Sequence, residues 1–139
     1  MVNDAIGRYS VEKLHDRVSV LEPGILLMRE IADGDGTTLS TMLQRVEELA
    51  TGLDRYGLVI DLDGAKGRIS SDYRREVPRQ ITAFWQRSDG RLCVVAVTML
   101  TNPVTRVVAK FIIGRIGVPI EITPDQEASV ACVRERLAR

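Results

Sequence analysis

Two adjacent serines, Ser70 and Ser71, carry the hydroxyls whose setting in this chain is best suited to chemistry. They close a loop of glycines and mixed charge, Asp63-Gly64-Ala65-Lys66-Gly67-Arg68-Ile69, and lead into Asp72, Tyr73, Arg74 and Arg75. A serine hydroxyl at the start of a helix accepts a hydrogen bond from a free backbone N–H. Phosphorylated there, it would place a dianion against the helix dipole and within reach of Arg68, Arg74 or Arg75. Capping is the plainer role and a switch the functional one. Just upstream, Asp61 and Asp63 flank Leu62, so a carboxylate pair for acid–base or magnesium chemistry has to be weighed. Asp63 ahead of Gly64 is a turn former, and Asp61 is expected to face a strand edge or an arginine.

Other chemistries lack their spacing. Lys66-Gly67-Arg68 sits in neither form of glycine-rich phosphate loop. The only histidine, His15, is far from the serines in sequence, and the nucleophile elbow G-x-S-x-G is missing. Asp33-Gly34-Asp35-Gly36 alternates acidic oxygens as calcium prefers, but the later carboxylate of an EF-hand loop is absent. A non-catalytic protein with no cofactor is therefore expected. Cys93 and Cys132 have no metal-like spacing and are expected to be buried, reduced thiols.

Net charge is zero but unevenly placed. Residues 1–63 hold 6 basic and 12 acidic side chains, whereas residues 64–120 hold 10 and 3. The middle of the chain thus offers a basic candidate surface: Lys66, Arg68, Arg74, Arg75, Arg79, Arg106 and Lys110, with Asp63 beside them. Aromatic residues make up only 4%, too few for a base-stacking platform, so nucleic acid is not the expected partner. An acidic protein surface suits it better. Arg106, Lys110 and Arg115 beside Phe111, Ile112 and Ile113 also allow a basic amphipathic helix on anionic lipid. No apolar run approaches the roughly 18 residues of a membrane span. The polar, acidic start Met1-Val2-Asn3-Asp4 is unlike a secretory signal, and a cytoplasmic location is expected.

These residues need elements to hold them. Leu58-Val59-Ile60-Asp61-Leu62 is a short β-branched run that predicts a buried strand. Tyr73, Val77, Ile81, Phe84 and Trp85 form a stripe of helical period after it, although Pro78 predicts an irregular first turn with the regular helix beginning near Val77. Before this unit, residues 1–8 predict a loose arm and Tyr9–Leu14 a strand. Val18–Leu21 and Ile25–Met28, joined by Glu22-Pro23-Gly24, predict an antiparallel hairpin. Leu39, Met42, Leu43, Val46, Leu49, Ala50 and Leu53 predict an amphipathic helix capped by Thr37 or Thr38. After it, Leu92–Val97 predicts a strand covered on both faces. Asn102 and Pro103 predict a helix start, with Val104, Val107, Val108, Phe111 and Ile112 on its buried face. Pro119–Ile122 predicts a last strand, and Thr123 caps a final helix reaching about Leu137. The expectation is one α/β domain over residues 9–139: a hairpin, then three right-handed crossovers, in a mixed sheet of about five strands with four helices.

That order, with Val59-Ile60-Asp61-Leu62-Asp63-Gly64 and the double serine beyond it, resembles the STAS family of sulfate transporters and anti-sigma factor antagonists, in its small SpoIIAA-like form. Members carry D-L-S-G at the strand and D-S-S-G at the helix start. Here Asp61-Leu62-Asp63-Gly64 matches the first with one substitution, and Ile69-Ser70-Ser71-Asp72 matches the second at the serines. The resemblance implies a regulatory module that binds a regulator or kinase-like protein, with Ser70 at the phosphorylated position and a homodimer also open. Thr98-Met99-Leu100-Thr101-Asn102-Pro103 and Gly117-Val118-Pro119-Ile120 are similar to small SpoIIAA-like proteins lacking the phosphorylation motif, some likened to Sec14-type carriers. That similarity implies the alternative, a carrier of an apolar or lipid ligand with peripheral membrane association.

Overall fold

The computed structural model describes residues 9–99, Val107, Lys110, Gly114 and 117–139. Its elements are α1 (Val11–His15), β1 (Val18–Glu22), β2 (Ile25–Arg29), α2 (Gly36–Leu49), β3 (Tyr56–Asp61), a 3-10 turn (Leu62–Ala65), α3 (Ser71–Arg87), β4 (Leu92–Thr98), β5 (Ile120–Thr123) and α4 (Gln126–Leu137). The protein is α/β, with a five-stranded mixed sheet in the order β1-β2-β3-β4-β5. β1 and β2 form the antiparallel hairpin; every later neighbour is parallel. The strand that carries Asp61 is therefore central, paired with β2 on one side and β4 on the other.

Alternation along the strands divides the interior. Leu26 and Met28 of β2, Leu58 and Ile60 of β3, and Val95 and Val97 of β4 face α2 and α3, where Leu39, Met42, Val46, Ile81 and Phe84 complete the larger core. Their neighbours Ile25, Leu27, Val59, Val94 and Ala96 face Val133 of α4 in a smaller core on the other side. A Cβ on Gly57 would overlap the Val133 side chain, so the glycine near the start of β3 lets α4 lie close on the sheet. A sheet covered on both faces explains the unbroken apolar runs of β2, β3 and β4.

Local chemistry shifted several boundaries. Tyr9–Leu14 is not a strand: Ser10 accepts the Lys13 N–H at 3.2 Å and starts α1, which sinks Leu14 into the core. The cap of α2 is Asp35, which takes the N–H groups of Thr37 and Thr38, while Thr38 returns the bond as the acceptor of the Asp35 N–H at 2.9 Å. Asp125, not Thr123, caps α4, and Thr123 ends β5. α3 begins at Ser71 and runs through Pro78. One proline removes a single helix bond, and here Tyr73, Ile81 and Phe84 anchor the helix on both sides of it. The expected arm at 1–8, and the helix start at Asn102 and Pro103, lie outside the described residues. Val107, expected on a buried face, is 67% exposed. No helix among the described residues is long and apolar enough to cross a membrane.

Candidate functional site

The carboxyl ends of β2 and β3 meet the amino ends of α2 and α3, and the residues singled out by sequence gather there. Asp61 closes β3. Its Oδ1 accepts the Asp63 N–H at 2.9 Å, and its Oδ2 lies 3.8 Å from Nε of Arg29 on the neighbouring strand. It faces an arginine and caps the 3-10 turn, within which Asp63 sits. Among the described residues no group of three or more His, Cys, Asp or Glu could hold a metal ion. The turn ends at Lys66, exposed and left-handed at φ 53°. The chain then reaches Ser70.

Ser70 is the N-cap of α3 and does two things at once. Its Oγ accepts the Tyr73 N–H at 3.0 Å and donates to the carbonyl of Gly34 at 2.7 Å. It thereby ties α3 to the β2–α2 loop. Three further contacts close the same seam. The Asp33 N–H donates to the Arg68 carbonyl at 2.9 Å, Arg68 forms an ion pair with Asp33, and the Gly36 N–H donates to Oδ2 of Asp72 at 2.7 Å. Asp72 thus places its carboxylate at the amino end of α2 as well as in the first turn of α3, where helix dipoles favour negative charge. Ser71, by contrast, is exposed, with Nη2 of Arg74 at 3.3 Å from its hydroxyl.

Beneath the seam lies a residue the sequence reading passed over. Glu30 follows β2 and is 1% exposed. Tyr73 donates its hydroxyl to Oε2, and the Ile31 N–H donates to Oε1 at 3.3 Å. Arg17 fastens the backbone here, donating to the carbonyls of Arg29 at 2.9 Å and Glu30 at 2.7 Å. Burial pushes the Glu30 carboxyl up to about 7, against the downward pull of the Tyr73 hydroxyl, the Ile31 N–H and Arg17. Burial and then the Glu30 charge push the Tyr73 phenol well above its ordinary value. Strand alternation was the available signal, because Leu26, Met28 and Glu30 share a parity that places all three on the α2–α3 side.

The arginines are less free than their count suggests. Arg68 is matched by Asp33, Arg75 by Asp72, and Arg79 by Glu76 at 2.5 Å. Lys66 and Arg74 have no carboxylate partner among the described residues. Arg74, Arg75 and Arg79 are all exposed along α3. Lys110 is helical and exposed, whereas Arg106 lies outside the described residues, and with it the expected junction of the two basic helix faces.

Two grooves lie elsewhere. A groove of about 670 Å³ opens at the amino end of the sheet, between α1, α2 and the end of α3, and one of about 440 Å³ runs between α2 and α3. Several of their charged groups are already engaged. Arg87 bonds Glu47, and Arg91 donates to the carbonyls of Ala50 and Leu53 and lies over the Tyr56 ring. Volume and chemistry therefore disagree about where the site is. The chemistry is the better guide, because the carboxyl end is where the strand and helix ends meet and where Asp61, Lys66, Ser70 and Arg74 are brought together.

Comparisons with protein-family models, with curated proteins and with solved structures find no match to this chain.

Proposed function

We propose that this chain is a non-catalytic regulatory interaction module of the STAS type, which presents the seam around Ser70 and the exposed face of α3 to an acidic protein surface. The observation that carries the reading is the double engagement of the Ser70 hydroxyl. Phosphorylation of Ser70 would replace the proton donated to Gly34 and set a dianion at the amino end of a 17-residue helix, near Arg74. The β2–α2 loop would lose a tie while α3 kept its cap, so a local charge would reshape a docking surface without unfolding the domain. The strand order supports the reading too. It runs straight across the sheet without reversal, so no crevice opens between diverging crossovers at the carboxyl end. A tied surface of this kind suits recognition of another macromolecule.

The carrier alternative draws less support. An apolar ligand wants an apolar cavity, whereas the two grooves are lined by Glu47, Gln44 and Arg87. The test compares wild type, Ser70→Asp, Ser70→Ala and the double variant Arg74→Glu with Arg75→Glu in quantitative pull-downs of one partner. Ser70→Asp and the arginine variant are expected to weaken capture most, with Ser70→Ala, which loses the Gly34 tie but brings no charge, between them and wild type. Equal capture by all four removes the switch. A lipid mass retained in native mass spectrometry would support the carrier instead.

A further inference from the structure

Buried carboxyls at the end of a core strand are uncommon, and Glu30 occupies the joint on which the seam turns. Its N–H donates to the Asp61 carbonyl at 2.9 Å, so it is tied to the end of β3. Its carboxyl holds the Tyr73 hydroxyl, and the Tyr73 N–H is the one that Ser70 caps. Its own carbonyl is held by Arg17, and Gly64 of the 3-10 turn presses against that carbonyl so closely that a Cβ would overlap it. The residues after it, Ile31 to Asp35, form the loop that Ser70, Arg68 and Asp72 fasten. The titratable and charged side chains facing the carboxyl are Tyr73 from α3 and Arg17 from the turn ahead of β1. Arg29 and Asp61 have the opposite strand parity and pair with each other there.

We propose that Glu30 is a proton-controlled latch: protonated, it holds the first turn of α3 against the β2–α2 loop, and ionised, it favours opening of that seam and release of the Ser70 hydroxyl from Gly34. The physical reason is that a carboxylate buried behind Tyr73 keeps two hydrogen bonds and, among the described residues, no ion pair, and gains solvation once the seam parts. The direction agrees with burial having raised the Glu30 carboxyl to about 7. The inference supplies a regulation for the site proposed above. It places control of Ser70 access in a buried side chain rather than at the exposed surface.

The test is backbone hydrogen exchange followed from pH 5 to 8, corrected for intrinsic rates, in wild type, Glu30→Gln and Tyr73→Phe. In wild type, residues 31–36 and 72–74 should open about ten-fold more often per pH unit up to about 7 and then level off, because the open state releases the Glu30 proton. β3 amides such as those of Val59 and Ile60 should remain far better protected. Glu30→Gln should abolish the slope. Tyr73→Phe removes the bond that lowers the carboxyl and should move the levelling point to higher pH. A flat wild-type profile overturns the latch, as does a seam that opens no more often than β3 at any pH, since opening would then be global unfolding. Neither phosphorylation nor a partner enters the measurement, so its failure and the failure of the Ser70 switch are separately visible.

Discussion

The two ends of the parallel sheet solve opposite problems. At the carboxyl end, Ser70, Asp72, Asp33, Arg68 and Glu30 bind loop to loop and leave their backbone partners satisfied. At the amino end, helix ends stand apart and a groove remains, edged by Glu47, Arg87 and Arg91. Both ends are polar, and both link distant parts of the sequence through half-buried atoms, Arg91 to Ala50 and Leu53 at the amino end among them. Of these ties only that of Tyr73 to Glu30, at the carboxyl end, joins two buried side chains. Ser70 to Gly34 and Gly36 to Asp72 each span 36 residues, and Tyr73 to Glu30 spans 43. The difference teaches that concavity and coupling are separate properties. A groove lined by exposed side chains adapts to change, whereas a seam of shared hydrogen bonds transmits it.

The largest contrast should come from glycine substitutions. A Cβ at Gly64 would overlap the Glu30 carbonyl, which is backbone and cannot step aside. Gly64→Ala should therefore destabilise the domain by about 3 kcal/mol. Gly90, in the turn ahead of β4 at the amino end, has φ +83° and nothing within 4 Å of an added Cβ. Gly90→Ala should cost only about 1 kcal/mol of backbone strain. Urea unfolding of both decides it, and equal losses would show that the carboxyl end is no more tightly built than the amino end.

A comparable effect is expected from pH. The folded Glu30 carboxyl keeps its proton up to about pH 7, while the unfolded chain releases it near 4.5. Its contribution to stability is therefore full below about 4.5, falls as pH rises, and is gone above about 7. The swing is about 3 kcal/mol, one pKa unit being about 1.4 kcal/mol. Glu30→Gln has no proton to lose. The stability of wild type minus that of Glu30→Gln should drop by this amount between pH 4.5 and 7.5, measured by urea unfolding at each pH. A constant difference would mean that water or a rearranged Arg17 already solvates the carboxylate.

Much of this architecture is legible in the sequence, because period and turn chemistry speak locally. The hairpin at Pro23-Gly24, the runs of β3 and β4, and the stripes of α2 and α3 all follow from residues within a dozen positions of one another. Capping was legible only in part. Ser70 was expected as a cap and is one, but Asp35 and Asp125 displaced neighbouring threonines: one Asp35 oxygen accepts from both Thr37 and Thr38, and Asp125 accepts the Ala128 N–H at 2.7 Å. Tyr9–Leu14 misled because six residues hold less than two helical turns, too few to show a period, and Ser10 decided the matter. The seam itself was invisible. Nothing in Asp72 announces that it accepts from Gly36, and nothing in Glu30 announces Tyr73, since each partner lies dozens of residues away across the sheet.

A smaller effect separates the paired serines. Ser70→Ala loses the cap and the Gly34 bond and should cost about 1 kcal/mol. Ser71 is exposed, and its contact at 3.3 Å is to the guanidinium of an exposed arginine. Ser71→Ala should change stability by less than about 0.5 kcal/mol. Thermal unfolding of the two variants side by side is sufficient. The reverse order would move the structural tie, and with it the switch, from Ser70 to Ser71.

The smallest effect belongs to the groove. Arg87 meets Glu47 at 2.5 Å, but the two side chains are 55% and 41% exposed, so water competes for both charges. Pairs of this kind contribute about 0.5 kcal/mol or less, and salt weakens them further. Arg87→Ala should therefore leave stability nearly unchanged while widening the groove that Arg87 lines. It removes a basic residue from α3 just as the Arg74 and Arg75 substitutions do, but at the opposite end of the helix. If the carboxyl end is the docking surface, capture of the partner by Arg87→Ala should match wild type, and its association rate should keep the same dependence on salt. A loss of capture with Arg87→Ala as large as that with Arg74→Glu and Arg75→Glu would mean that binding follows the charge of the whole helix, and the seam would then lose its claim to be the place where the partner is recognised.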